Sequence, residues 1–178
     1  MRSLFAVTAV SLLIASPALA DCAGSHSLDR CLVGTWSYAS GGSAAWMSRN
    51  IHMAHITGLS HNSLNVTLRP DGTFSTGNVD VHSSVAANNG EVTGTAHATG
   101  QTSGQWSAAG GHLNFCATAS TFQQTVTVVV HGRPITVTPH AMPVRPTAMD
   151  YVCNATTLKT TQPMAHLEPI VTLYNRGH

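Results

Sequence analysis

Charge is scarce in this sequence of 178 residues: Asp, Glu, Lys and Arg together make up 8% of it, and the formal net charge is +1. Neutralising nucleic-acid phosphates takes clustered Lys and Arg, and none cluster here, so no nucleic-acid partner is expected. Long surface helices, which usually carry Glu and Lys, are disfavoured for the same reason. Carboxylates are too sparse to suggest the acid pair of a glycosidase. There is no G-x-S-x-G for a nucleophilic serine and no C-x-x-C for a thiolate metal site. Beyond the first twenty residues no apolar run is long enough to cross a bilayer, so no transmembrane segment is expected. No internal repeat stands out.

The first stretch, MRSLFAVTAVSLLIASPALA, places Arg2 before an apolar run from Leu4 to Ala15, a Ser16-Pro17 break, and the small-x-small triplet Ala18-Leu19-Ala20. That pattern reads as a secretory signal over residues 1–20. Asp21 stands before Cys22 where a lipoprotein would need a small residue. The mature chain is therefore expected to run from Asp21 to His178 as one domain, secreted or periplasmic. All four cysteines, Cys22, Cys31, Cys116 and Cys153, follow the cleavage point, in a compartment that permits disulfides. Four cysteines allow three connectivities. The spacing favours Cys22–Cys31, flanking a short segment, and Cys116–Cys153, both in predicted strands.

Thr, Ser, Val and Gly dominate the rest, a composition suited to strands and turns. CLVGTWSYA (31–39) alternates and opens the ordered domain. NSLNVTLRPDGTFSTG predicts a hairpin turning at Pro70-Asp71-Gly72, with Leu64, Val66, Leu68 and Phe74 on one face. Further hairpins are predicted around Asn89-Gly90, around Gly110-Gly111, and within FQQTVTVVVHGRPITVTP; DYVCNATTLKTT and PIVTLYNR close the chain. Short strands at this spacing imply a sandwich or barrel rather than βαβ units. The one helix candidate begins at Ser43 and ends at Gly58, with Met47, Ile51 and Ala54 on a common face. It is read as a short helix or irregular segment against the barrel.

LVGTW, followed by LRPDGTF, GQWSAAGGHLNF and YVCNATTLKT, resembles the small secreted lipocalin-like barrels of bacteria, over most of Leu32 to Arg176. The resemblance implies an all-β, antiparallel calycin-type barrel in which Trp36 plugs the closed end and a late arginine, here Arg176, packs on it. Met149-Asp150-Tyr151 matches the family's Thr-Asp-Tyr motif only in its last two residues. A ligand cavity in the barrel is implied, but not the identity of a ligand.

Two histidine groups invite a metal reading. NIHMAHITGLSH (50–61) holds His52, His55 and His61 beside Met53. On a helix His52 and His55 would share a face; on a strand they would point apart. A third ligand would have to be His61, Met53 or something distant, and copper would suit a site that included the Met53 thioether. The second group is better placed. In NVDVHSSVAANNGEVTGTAHATG the residues Val79, Val81, Val85 and Ala87 alternate on one face, leaving Asp80, His82 and Ser84 on the other. A two-residue Asn89-Gly90 turn sets His82 opposite His97, with Asp80 on the same face. Two histidines and one carboxylate suit zinc or non-haem iron. The plain alternative is a polar outer face of the barrel; a turn at Asn88-Asn89 would instead move Asp80 opposite His97. Asp80, His82 and Ser84 also name a triad, but same-face neighbours on a strand stand nearly 7 Å apart, and no oxyanion hole is signalled.

Trp36, Phe74, Trp106 and Phe115 occupy apolar strand positions. Core packing accounts for each, and in a hollow barrel they are the candidates for binding a ligand, with Gly94, Ala96 and Ala98 leaving room inside. The expectation is a non-enzymatic binding protein for a small, apolar molecule. Two alternatives stay open: a metal-binding protein using Asp80, His82 and His97, and a structural or inhibitory module acting through its surface.

Overall fold

The computed structural model describes residues 28–50, 54–62, 64–87, 92–138 and 146–177. The predicted secretory signal, Cys22, His52, Met53 and the Asn89-Gly90 turn lie outside them.

The fold is all-β. Eight strands close an antiparallel barrel: β1 (Gly34–Gly41), β3 (Asn65–Leu68), β4 (Thr73–Thr76), β7 (Thr102–Ala109), β8 (His112–Ser120), β11 (Thr147–Cys153), β12 (Thr157–Met164) and β13 (Leu167–Arg176). Around the barrel they run β1-β13-β12-β11-β8-β7-β4-β3, and β3 returns to β1 through Trp36↔Val66 and Gly34↔Leu68. The remaining strands, β2 (Ala54–His61), β5 (Val79–Ala87), β6 (Val92–Gly100), β9 (Gln123–Val130) and β10 (Arg133–Val137), form a second, five-stranded sheet in the order β10-β9-β6-β5-β2.

The two orders match. Within the barrel β3, β4, β7, β8 and β11 are neighbours, and their chain continuations β2, β5, β6, β9 and β10 are neighbours in the same sequence in the second sheet. Gly77-Asn78 joins β4 to β5, Gln101 joins β6 to β7, and Thr121-Phe122 joins β8 to β9. Through these three short links β4, β7 and β8 run directly on from the barrel into the second sheet. At Gly100, with φ of 138°, a Cβ would fall 2.6 Å from the Phe122 Cα, so only glycine passes this junction without displacing the neighbouring link.

The helix expected from Ser43 to Gly58 is present only in its first half, as α1 (Gly42–Asn50). From Ala54 the chain is strand β2, pairing with β5. Ile56 and Thr57 are β-branched, and burial against a neighbouring strand overrides the weak local helix preference. Ala54 thus leaves the helical face assigned to it. Gly94, Ala96 and Ala98, expected to face a barrel interior, lie on β6 in the second sheet.

The core fills one end of the barrel. Leu32, Trp36, Leu68, Phe74, Trp106, Ala108, Leu113 and Leu158 are buried together. Trp36 donates its indole N–H to the Leu32 carbonyl at 2.7 Å, so its polar atom is satisfied inside the apolar cluster. Arg176 covers the Trp36 ring from outside, its guanidinium carbon 4.3 Å from the ring centroid, which is the packing the lipocalin resemblance implied. The segment from Leu28 to Val33 straps this end. Asp29 accepts hydrogen bonds from the Cys31 backbone N–H (2.8 Å) and the Tyr151 hydroxyl (2.7 Å).

The disulfide pattern corrects the expectation from spacing. Cys31 is bonded to Cys153, with Cα atoms 6.1 Å apart and a sequence separation of 122. This excludes both Cys22–Cys31 and Cys116–Cys153. Cys116 is disulfide-bonded as well, and no described cysteine is free. The physical reason is the strap: it carries Cys31 across the closed end to the end of β11, where proximity is set by topology and not by chain separation.

Candidate functional site

Inward side chains of the barrel alternate along each strand, and registry stacks them in layers. Cross-strand pairs Trp36↔Val66, Leu68↔Phe74, Trp106↔Phe115, Ala108↔Leu113 and Leu158↔Tyr174 all point inside. Trp36 and Trp106 fill the closed end; Trp106 donates its indole N–H to the Arg69 carbonyl at 3.1 Å. Beside this core a cavity of about 190 Å³ remains. Its walls include Val66, Phe74, Leu113, Phe115, Met149 and Leu158, together with Thr76, Thr160 and Tyr174.

Of the four aromatic candidates, Phe74 and Phe115 line this cavity, while Trp36 and Trp106 belong to the packed core beneath it. Phe74 and Phe115 meet edge to face, ring centroids 4.8 Å apart, forming one fixed aromatic wall. Burial pushes the Tyr174 hydroxyl above the ordinary tyrosine range, while side-chain hydrogen bonds with Thr172 and Thr160 pull the other way. Tyr174 therefore stays a neutral hydroxyl able to donate or accept. Met149, Thr160 and Tyr174 were not singled out from the sequence. The available signal was strand parity: once Leu158 faces inward, Thr160 on the same strand does too, and Tyr174 pairs with Leu158 across β12 and β13.

The hairpin carrying the other candidates folds in the register read from an Asn89-Gly90 turn: His82 pairs with His97, Val85 with Gly94 and Ala87 with Val92. These residues lie on the five-stranded sheet and not on the barrel wall. The Asp80 Oδ1 stands 2.9 Å from His97 Nε2 and 3.2 Å from His82 Nε2. The two imidazoles stack with centroids 3.9 Å apart and planes 9° from parallel. Ser84 is on the same strand but is not part of this cluster. Of the NIHMAHITGLSH histidines, His52 lies outside the described residues. His55 and His61 fall on β2, and the His61 ring packs edge-on against Tyr38 at 5.3 Å.

The fold and cavity define a class: a closed eight-stranded antiparallel barrel, consistent with a calycin-like fold, braced by a disulfide. No protein-family model matches the chain, and no curated protein matches it. Among the described residues no helix is long and apolar enough to cross a membrane.

Proposed function

We propose that this is an exported, lipocalin-like, non-enzymatic binding protein whose barrel holds one small, mainly apolar molecule. The observation that carries the reading is the cavity of about 190 Å³ between Phe74, Phe115, Met149 and Tyr174. Its size sets the ligand class. Drug-sized ligands occupy pockets of roughly 300–1,000 Å³, whereas an apolar cavity of about 150 Å³ takes benzene. The ligand is thus a small ring or short branched chain, with at most one or two polar atoms to meet the Thr160 and Tyr174 hydroxyls. Disulfide-bonded Cys31, Cys116 and Cys153 support an oxidising compartment, in keeping with a signal cleaved before Asp21.

Native mass spectrometry of the exported protein tests this reading. The expected result is a chain starting at Asp21 that carries a discrete organic mass excess, lost on denaturation and displaced by added small apolar compounds. A bare chain that shows no saturable uptake of any such compound would overturn it.

A further inference from the structure

We propose that Asp80, His82 and His97 form a site for one divalent transition-metal ion of the zinc or copper(II) class, clamping β5 to β6 where the five-stranded sheet leaves the barrel. The proposal is independent of the barrel cavity.

The donor atoms already converge. One oxygen of Asp80 faces Nε2 of both histidines, at 2.9 and 3.2 Å, and the three ligand atoms all lie within 4.8 Å of one another. Bonds of about 2.0–2.1 Å from zinc to nitrogen or oxygen place tetrahedral ligands about 3.3 Å apart. Two of the three separations therefore match that edge within a few tenths of an ångström. The side chains are 46–58% exposed, so the stacked rings have solvent-side room to turn their Nε2 atoms toward a shared ion.

The charge is also right for a cation. From Pro70 through Gly132 the sequence contains no lysine or arginine. The nearest Lys or Arg in the sheet, Arg133 on β10, lies two strands beyond β6 and pairs with Val130 of β9, at the end of the sheet far from Asp80. The ion pairs of Asp80 among the described residues are with His82 and His97 alone. Flanking positions in the same cross-strand row are neutral hydroxyls, Ser60 beside His82 and Thr125 beside His97.

Asp80 is held in place from β2. Its backbone N–H donates to Asn62 Oδ1 at 3.0 Å, and its carbonyl accepts from the Asn62 N–H at 3.0 Å. The Asp80 backbone is thus tied to Asn62, just past the end of β2, while the two imidazoles come from opposite strands. Two imidazole nitrogens and one carboxylate oxygen suit a borderline ion; copper(II) ranks above zinc on intrinsic affinity, and hard calcium or magnesium would be poorly served. An ion here cross-links two strands joined by an exposed hairpin and stabilises the sheet by mass action.

The test is titration of zinc(II) into chelator-stripped protein by calorimetry, with cobalt(II) as a spectroscopic probe. One equivalent per chain is expected, with a zinc-dependent rise in Tm and a cobalt absorption of a low-coordinate nitrogen–oxygen site. H82A and H97A should each weaken zinc at least about 10-fold, since even outer-shell changes cost 10–100-fold. His112→Ala, which breaks a separate exposed pair with Asp150, should leave affinity unchanged. His82→Asn and His97→Asn repeat the test should either alanine variant prove poorly folded. Absence of saturable binding, or binding that survives loss of both histidines, would overturn the assignment.

Discussion

The guanidinium of Arg176 lies over the indole of Trp36, and the same side chain donates to three backbone carbonyls: Cys31 at 2.6 Å, Val33 at 2.9 Å and Ala155 at 2.8 Å. One residue from the last strand thus ties the strap, the first barrel strand and the β11–β12 turn together. Arg176→Ala removes the stacking and leaves those carbonyls to water. The expected loss is about 2–4 kcal/mol, read from the shift in denaturant midpoint. Arg176→Lys should recover only part of it, because a single ammonium cannot reproduce the planar fork.

The Cys31–Cys153 bond closes a loop of 122 residues in sequence separation. The chain-entropy model gives such a loop about 5 kcal/mol, an upper value where the unfolded chain retains structure. The Cys31→Ser, Cys153→Ser double variant should therefore unfold at clearly lower denaturant concentration. The loss should be larger than expected for either short-loop pairing. A midpoint unchanged from the parent would contradict the pairing.

Gly104 sits at a register irregularity between β7 and β8. A Cβ there would overlap the Cys116 carbonyl oxygen and come within 2.6 Å of the Ala117 Cα. Both obstacles are backbone, so neither can swing aside. Gly104→Ala is expected to destabilise by several kcal/mol, in the range reserved for strained core changes, measured by chemical denaturation. Gly110→Ala provides the contrast: nothing lies within 4 Å of its Cβ, and only the positive φ of 60° opposes it.

Tyr151 is pushed up to about 12, first by burial and then by its hydrogen bond to Asp29 and that carboxylate's charge. The neutral phenol is favoured in the folded state. Its contribution is complete below the unfolded value near 10 and is lost as pH rises from about 10 to about 12. Ultraviolet titration should show Tyr151 and Tyr174 both ionising late. Tyr151→Phe should remove one of the two late steps, leaving that of Tyr174, and flatten the alkaline fall in stability. If all tyrosines titrate together near 10, the Asp29 contact does not form.

Parity and turn chemistry make much of this architecture legible in the sequence. Asp71-Gly72 fixed one hairpin and Gly110-Gly111 another, and valine alternation in β5 against β6 placed His82 opposite His97. What stayed hidden was long-range. Nothing local says that β5 and β6 leave the barrel, because each is continuous with a barrel strand through only one or two residues. Cys31 meets Cys153 through the strap, a contact no spacing encodes. The cavity wall was half visible: Phe74 and Phe115 stand out as aromatics, whereas Met149 and Thr160 become visible only when registry assigns them an inward face.

The central claim, a ligand-binding cavity in the barrel, is tested most directly by methyl-resolved NMR with benzene as the probe. Saturable shifts are expected for Met149, Leu113, Leu158 and Val66, with little change at Val85 and Val128 on the outer sheet. Thr160→Phe, which fills the space, should abolish them while the chain stays folded. Shifts that never saturate, or that spread equally to the outer sheet, would contradict a binding cavity.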